Sequence, residues 1–200
     1  MTPRQELISR EATVRLRYTD RRILLLLVTA IGLFVGFSGI QQTLGFQLQD
    51  KLGLSGIETA QMTGAALMVS ATFTFIIQVT VMQRLNLRPT QFLRLGLLSM
   101  LFGAGVISSF DTFAVLAVGM AFLGAGMGLC MPAVSAGASL AVHPDEQGAA
   151  AGLVSSCPAI GFVAGPICAG ALYQVHGPLA PLFSASVFFV VLVVLVINDR

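Results

Sequence analysis

Six stretches of this chain run for about 20 residues or more with no charged side chain in their middle, and that pattern leaves few folds open to it. An α-helix rises about 1.5 Å per residue, so about 20 apolar residues cross the roughly 30 Å hydrocarbon core of a bilayer. The stretches lie near Ile23 to Gln47, Thr59 to Met82, Gln91 to Ser109, Thr112 to Val142, Gly148 to Tyr173 and Leu179 to Ile197. Composition points the same way: 56% of the 200 residues are hydrophobic and 10% charged, against roughly 25% charged in soluble domains. The expectation is an all-α membrane protein with six transmembrane helices, its first partner the lipid bilayer.

The gaps carry signals of helix ends that meet water. Ser55 and Glu58 form a capping box ahead of the second span. Asp111 is placed to cap the fourth, and Pro144, Asp145 and Glu146 open the fifth with acids at the positive end of the helix dipole. All of these read as architecture, with no catalytic role. The first 22 residues hold six arginines, two glutamates and an aspartate, and the apolar run after them is too long for a removable signal peptide.

Orientation follows from the cations, because loops rich in arginine stay on the cytoplasmic side. With the N-terminus inside, ten arginines fall inside or at the inner boundary and only Lys51 falls outside. Both termini are therefore expected in the cytoplasm, with the chain threaded many times through the cell's inner membrane. A net charge of +2 gives no electrostatic case for a nucleic-acid partner. Cys130, Cys157 and Cys168 sit in apolar stretches without metal-ligand spacing and read as small packing residues, so neither a metal nor a cofactor is implied.

Polarity within the spans is confined to amides and hydroxyls. Gln41, Gln42 and Gln47 occupy the outer half of the first span; Gln61, Thr63, Thr72, Thr74 and Gln78 punctuate the second; Ser155 and Ser156 lie in the fifth. Spans one, two and five thus look buried or cavity-facing, and three and six lipid-facing. Each glutamine is either an interhelical hydrogen bond worth about 1 kcal/mol or a substrate contact. Two adjacent glutamines point about 100° apart on a helix, which argues against one packing interface for both. Glycines spaced by four, Gly32 with Gly36, Gly124 with Gly128 and Gly161 with Gly165, leave flat patches where another backbone can approach. Pro166 removes a hydrogen bond just beyond the last pair and favours a kink.

Gly161-Phe-Val-Ala-Gly165-Pro166-Ile-Cys-Ala-Gly170 resembles the G-x-x-x-G-P-x-x-G-G motif on the fifth helix of a six-helix half in the major facilitator superfamily, above all in drug/proton antiporters. Ala169 replaces one glycine. His143-Pro-Asp-Glu-Gln-Gly148-Ala-Ala-Ala-Gly152 is similar to the loop into that helix, and Gly124-Ala-Gly126-Met-Gly128-Leu-Cys-Met-Pro132 to the family's glycine-rich fourth helix. The loop signature G-x-x-x-D-R-x-G-R-R is eroded to Val79-Thr-Val-Met-Gln83-Arg84-Leu-Asn86-Leu-Arg88, as is usual in the C-terminal half.

The resemblance implies one half of a major-facilitator fold, built as two inverted three-helix repeats: residues 23–109 and 110–200, after an arginine-rich arm, 1–22, that would link the halves. It implies transport of a small solute by alternating access, with export one direction it suggests. A missing N-terminal six-helix half, or a second copy acting in a homodimer, would complete the machine. By the same analogy Gln41, Gln42, Met127 and Met131 lie near substrate, with Gln61, Gln78, Ser155 and Ser156 as further pathway candidates. Gly161, Gly165, Pro166 and Gly170 would form the conformational motif. An intramembrane serine protease is disfavoured, since Gly137-Ala-Ser139-Leu140 lacks the final glycine of such a nucleophile motif and Ser139 and His176 belong to opposite faces. A non-transporting scaffold would be expected to carry a soluble domain or long loop, and none is found in the sequence.

Overall fold

The computed structural model describes residues 16–85 and 87–198, and every regular element among them is helical. Six helices long and apolar enough to cross a membrane follow in order: α1 (Leu24–Leu52), α2 (Gly56–Arg84), α3 (Pro89–Ser108), α4 (Phe113–Leu140), α5 (Gln147–Val175) and α6 (Leu179–Asn198). A 3-10 turn, Pro144–Glu146, precedes α5. Most of the arginine-rich arm, residues 1–15, and Arg200 lie outside the described residues.

Local chemistry sets the ends. Helix α1 runs a full turn past Gln47, because Gln49, Asp50 and Lys51 still form helix although they stand beyond the apolar run. It stops at Gly53, whose φ of 64° only glycine adopts without strain, with its N–H on the Gln49 carbonyl at 2.9 Å. The capping box of α2 forms as expected: the Ser55 hydroxyl accepts from Glu58 N, and the Glu58 carboxylate accepts from Ser55 N at 2.9 Å. At α4 the cap is Thr112, not Asp111; its Oγ1 accepts from Val115 N at 3.4 Å. Helix α5 stays continuous through both Pro158 and Pro166.

The packing follows an inverted repeat. Advancing each helix by three turns the α1–α5 contact into α4–α2, α1–α6 into α4–α3, α1–α2 into α4–α5, and α3–α6 into itself; all of these contacts are present. One departure is that α5 touches α6 far more than α2 touches α3.

Glycines make the close contacts possible. A Cβ on Gly161 would lie 2.7 Å from the Phe34 carbonyl carbon, and one on Gly165 would strike Ser38 and the Val35 carbonyl, so both seat α5 on α1. Helix α4 uses its glycines in two directions. A Cβ on Gly128 would lie 2.7 Å from the Thr74 carbonyl oxygen of α2 and one on Gly124 would strike Ser70, while Gly126 and Gly119 turn the other way, toward Gly96 and Gly103 of α3. Gly32 and Gly36 approach Val191 and Phe188 of α6. In contrast, Gly170 opens on empty space, and its neighbour Ala169 is the buried member, placed against Gly39.

Helices α1 and α4 are the most buried, and α2 and then α5 the least. The expected division by polarity therefore needs correction. Helix α3 buries Phe92, Leu93, Leu97, Met100 and Ile107 against its neighbours, whereas α2 and α5 present Met68, Phe75, Val163 and Ile167 outward. Polar content alone misled here, since a helix with small apolar residues packs as well as one with hydroxyls. Cys130 and Cys157 are buried as expected, but Cys168 is exposed on α5.

Each end of the bundle is tied. At one end Lys51 Nζ donates to the carbonyls of Ser108, at 3.0 Å, and Phe110, at 3.2 Å, and sits 4.3 Å from the Phe110 ring centre. Beside it Tyr173 donates its phenol proton to Asp50. At the opposite end Arg22 grips Glu146 through two hydrogen bonds of 2.6 and 3.0 Å and Asp20 through contacts of 2.8 and 3.2 Å. The described arginines cluster at this second end, and Lys51 stands at the first.

Candidate substrate groove

Helices α1, α2 and α4 enclose two adjoining open cavities. The larger, about 460 Å³, is lined by Gln41, Gln42, Phe46 and Gln49 of α1 and by Thr59 and Thr63 of α2. The smaller, about 270 Å³, is lined by Phe37 and Gln41 of α1, Ser70, Phe75 and Gln78 of α2, and Met127 of α4. Gln41 and Leu67 border both, so the two form one groove running along α2 from its N-terminal end.

Helical spacing explains the assembly. Gln41, Gly45 and Gln49 recur every four residues on α1, and Thr59, Thr63 and Leu67 do so on α2, so each series shares one helix face. Gly45 has no side chain to fill the gap; a Cβ there would lie 3.6 Å from Thr63 Oγ1. The hydroxyls of Thr59 and Thr63 are shielded from solvent and have no hydrogen-bond partner among the described residues. A polar group left so in apolar surroundings costs about 1–3 kcal/mol.

Four of the eight pathway candidates meet here: Gln41, Gln42, Gln78 and Met127. Both adjacent glutamines border the same cavity, Gln41 half-buried and Gln42 exposed. The other four do not. Gln61 is exposed on α2, about 200° around the helix from Thr59 and Thr63. Met131 stands one turn beyond Met127, outside the groove lining. Ser155 is exposed on α5, and Ser156 is held by Tyr18, whose hydroxyl lies 2.5 Å away, and by the Leu153 carbonyl at 2.6 Å.

Two polar residues of the spans are structural. Gln47 is buried, donating through Nε2 to Thr43 Oγ1 at 3.1 Å, and Thr43 in turn donates to the Gly39 carbonyl at 2.8 Å. Thr74 borders the groove, but its hydroxyl lies within hydrogen-bond distance of the Ser70 and Gly124 carbonyls. Gln49 and Thr59 line the groove and were missed, because each stands at a helix end where polarity is ordinary. Their four-residue spacing from Gly45 and Thr63 was the available signal.

The groove bears no charged residue and no carboxylate of any kind. Among the described residues no three histidines, cysteines or acids gather as metal ligands would. The arrangement offers amide and hydroxyl hydrogen bonds on an apolar wall of phenylalanine, leucine and methionine.

The family description "Major Facilitator Superfamily" matches residues 26–200. The chain belongs to that superfamily. Solved structures agree on the fold. A peptide transporter POT in complex with sulfate superposes with a TM-score of 0.79 at 20% identity, over 99% of this chain and 42% of that one. A mutant of such a transporter in complex with alafosfalin gives 0.75 at 18% identity, again over 99% and 42%. The chain thus spans about two fifths of the length of these major-facilitator structures, while the match covers nearly all of it. No curated protein matches at a comparable level.

Proposed function

We propose that this chain is one six-helix half of a secondary transporter, in which the groove between α1, α2 and α4 forms one wall of a central solute site. The observation that carries the reading is the set of Gln41, Gln42 and Gln78 around one groove on an otherwise apolar bundle. The solute it suits is small and amphipathic, hydrogen-bonding through neutral groups. In this reading a second six-helix bundle, another half or a second copy, covers the outward faces of α2 and α5, where Phe75 and Ile167 are exposed. The two bundles then rock to open the site to either side. The two glycine seams, Gly161 with Gly165 and Gly124 with Gly128, would keep each helix pair rigid while it moves.

Export is the direction this reading takes, on the resemblance of the Gly161 to Gly170 segment to drug/proton antiporters. Arginines gathered at one end set that end in the cytoplasm of a cell whose inner membrane houses the protein. The intramembrane carboxylate needed for proton coupling would belong to the complementary half. Transport in cells that supply both halves tests the groove: Gln41→Ala with Gln42→Ala should lower uptake or export severalfold. Unchanged transport would refute the assignment.

A further inference from the structure

Helix α1 is one of the two most buried helices of the bundle, yet Phe46 on it is 60% exposed. The ring lies in the wall of the larger cavity with Gln42, four residues before it, and Gln49, three residues after, so the three side chains share one helix face. Gly45 beside it leaves room: a Cβ there would meet only Thr59 and Thr63, no closer than 3.6 Å. An aromatic residue near the membrane interface is ordinary, but interface placement alone does not put the ring between two amides in a cavity wall. A second ring holds it. The centre of the Phe46 ring lies 6.0 Å from that of Tyr173 on α5, tilted by 39°, and the Tyr173 hydroxyl donates to Asp50, one turn beyond Phe46 on α1. Tyr173 is thus fixed against α1 by its ring and by its hydroxyl. Asp50 joins no ion pair among the described residues that would draw its carboxylate elsewhere.

We propose that Phe46 is the stacking face of the solute site, with Tyr173 and Asp50 as positioning residues that hold its ring, so that the groove selects neutral solutes carrying a flat ring beside an amide-bonding group. The inference rests on the groove being the solute site and adds the shape of what it takes. An aromatic face attracts another flat π-system, in offset or tilted contact, more than a puckered saturated ring of equal area, a preference of about two- to tenfold in affinity. A ring already clamped by a neighbour has little rotamer freedom left to lose when a solute arrives, so less affinity goes into ordering it. Gln42 and Gln49, each carrying an amide donor and an acceptor, then meet the polar edge of the solute while its ring lies on Phe46. Selection by planarity needs no charge, in keeping with a groove lined by none.

Two neutral carboxamides that differ in ring planarity, benzamide and cyclohexanecarboxamide, test the assignment on the full chain in detergent. Dissociation constants come from ligand-observed NMR titration, and their ratio is the readout, because a substitution that merely loosens the bundle weakens both amides alike. Benzamide is expected to bind about two- to tenfold tighter. F46L should bring the ratio to one, and F46Y should keep it. Y173F and D50A cut the same hydrogen bond from its two sides and should each lower the ratio to the same intermediate value. F102L, which removes a ring of α3 outside the groove, should leave it unchanged. Equal binding of the two amides overturns the stacking face; if Q42A still weakens both, the solute groove itself stands. A benzamide preference that survives F46L also overturns the proposal, as does one unmoved by both Y173F and D50A should F46L not fold. Binding of neither amide removes the groove reading together with this one.

Discussion

The Ser38 hydroxyl of α1 donates to the Gly161 carbonyl of α5 at 2.9 Å, across a seam that only a missing side chain makes narrow enough. Its counterpart lies in the other helix pair, where the Thr74 hydroxyl of α2 sits 2.8 Å from the Gly124 carbonyl of α4. In both, the first glycine of a four-residue pair exposes its backbone to a hydroxyl of the neighbouring helix. Such bonds between membrane helices contribute about 0.6–2 kcal/mol each.

Filling the seam should therefore cost more than cutting its hydrogen bond. Gly161→Val forces a side chain into Phe34 and Val35 and should destabilise the bundle by about 1–3 kcal/mol, while Ser38→Ala should cost about 1 kcal/mol. Gly170→Ala enters open space and should leave stability unchanged. Thermal unfolding in one detergent ranks the three, and a Gly170 variant as damaging as the Gly161 one would contradict the seam.

Groove residues should separate from those that face elsewhere. Gln78→Ala should raise the KM for transported solute about five- to tenfold, the loss of one useful hydrogen bond of about 1–1.5 kcal/mol. Gln61→Ala, on the exposed side of α2, should leave KM alone. Initial-rate transport measurements distinguish them.

The tie at Lys51 should be measurable apart from transport. Lys51→Met removes the donor that closes the end of α3 and the cation over the Phe110 ring, and should lower stability by about 1 kcal/mol. Hydrogen exchange in the last turn of α3 should rise with it. Protection left unaltered at Ser108 and Ser109 would show that the lysine contributes nothing there.

The tie at Arg22 should be insensitive to pH until strong acid. Hydrogen bonds from the Arg22 side chain and backbone hold the Asp20 carboxyl below its usual range, and the pairing keeps Arg22 charged. A depressed carboxyl adds stability above its unfolded pKa, roughly 3.9, and loses it as pH falls through the lower folded value. A spin label at Tyr18→Cys should thus report the same mobility from pH 8 to pH 5 and loosen only below about pH 4. Glu146→Gln should free it at pH 7 without moving the melting temperature, because the pair is exposed.

Much of the fold was legible without coordinates. Uninterrupted apolar length fixes the number of crossings, because lipid accepts little else for so many residues. The Ser55 and Glu58 cap and the three glycine pairs were legible for the same kind of reason: each depends on neighbours within a turn or two of one helix. The superfamily was legible in Gly161 to Gly170 taken together with the segments from His143 to Gly152 and from Gly124 to Pro132. The groove was only half legible. Gln41 and Gln42 stood out as amides in an apolar run, but nothing local distinguishes Gln47 from them, and Gln47 turns inward to Thr43.

Amino-acid order by itself thus determined six crossings, the Ser55 and Glu58 capping box, the arginine asymmetry and the small-residue patches, all set by single-helix geometry and the cost of polarity in lipid. Which patch meets which helix was decided only in three dimensions. So were the two-way use of the α4 glycines, the exposure of α2 and α5, and the union of Gln41, Gln78 and Met127 in one groove. Those outcomes depend on how helices distant in sequence rotate and lean to bring their surfaces together, and a one-dimensional pattern carries no rotation between one rod and the next.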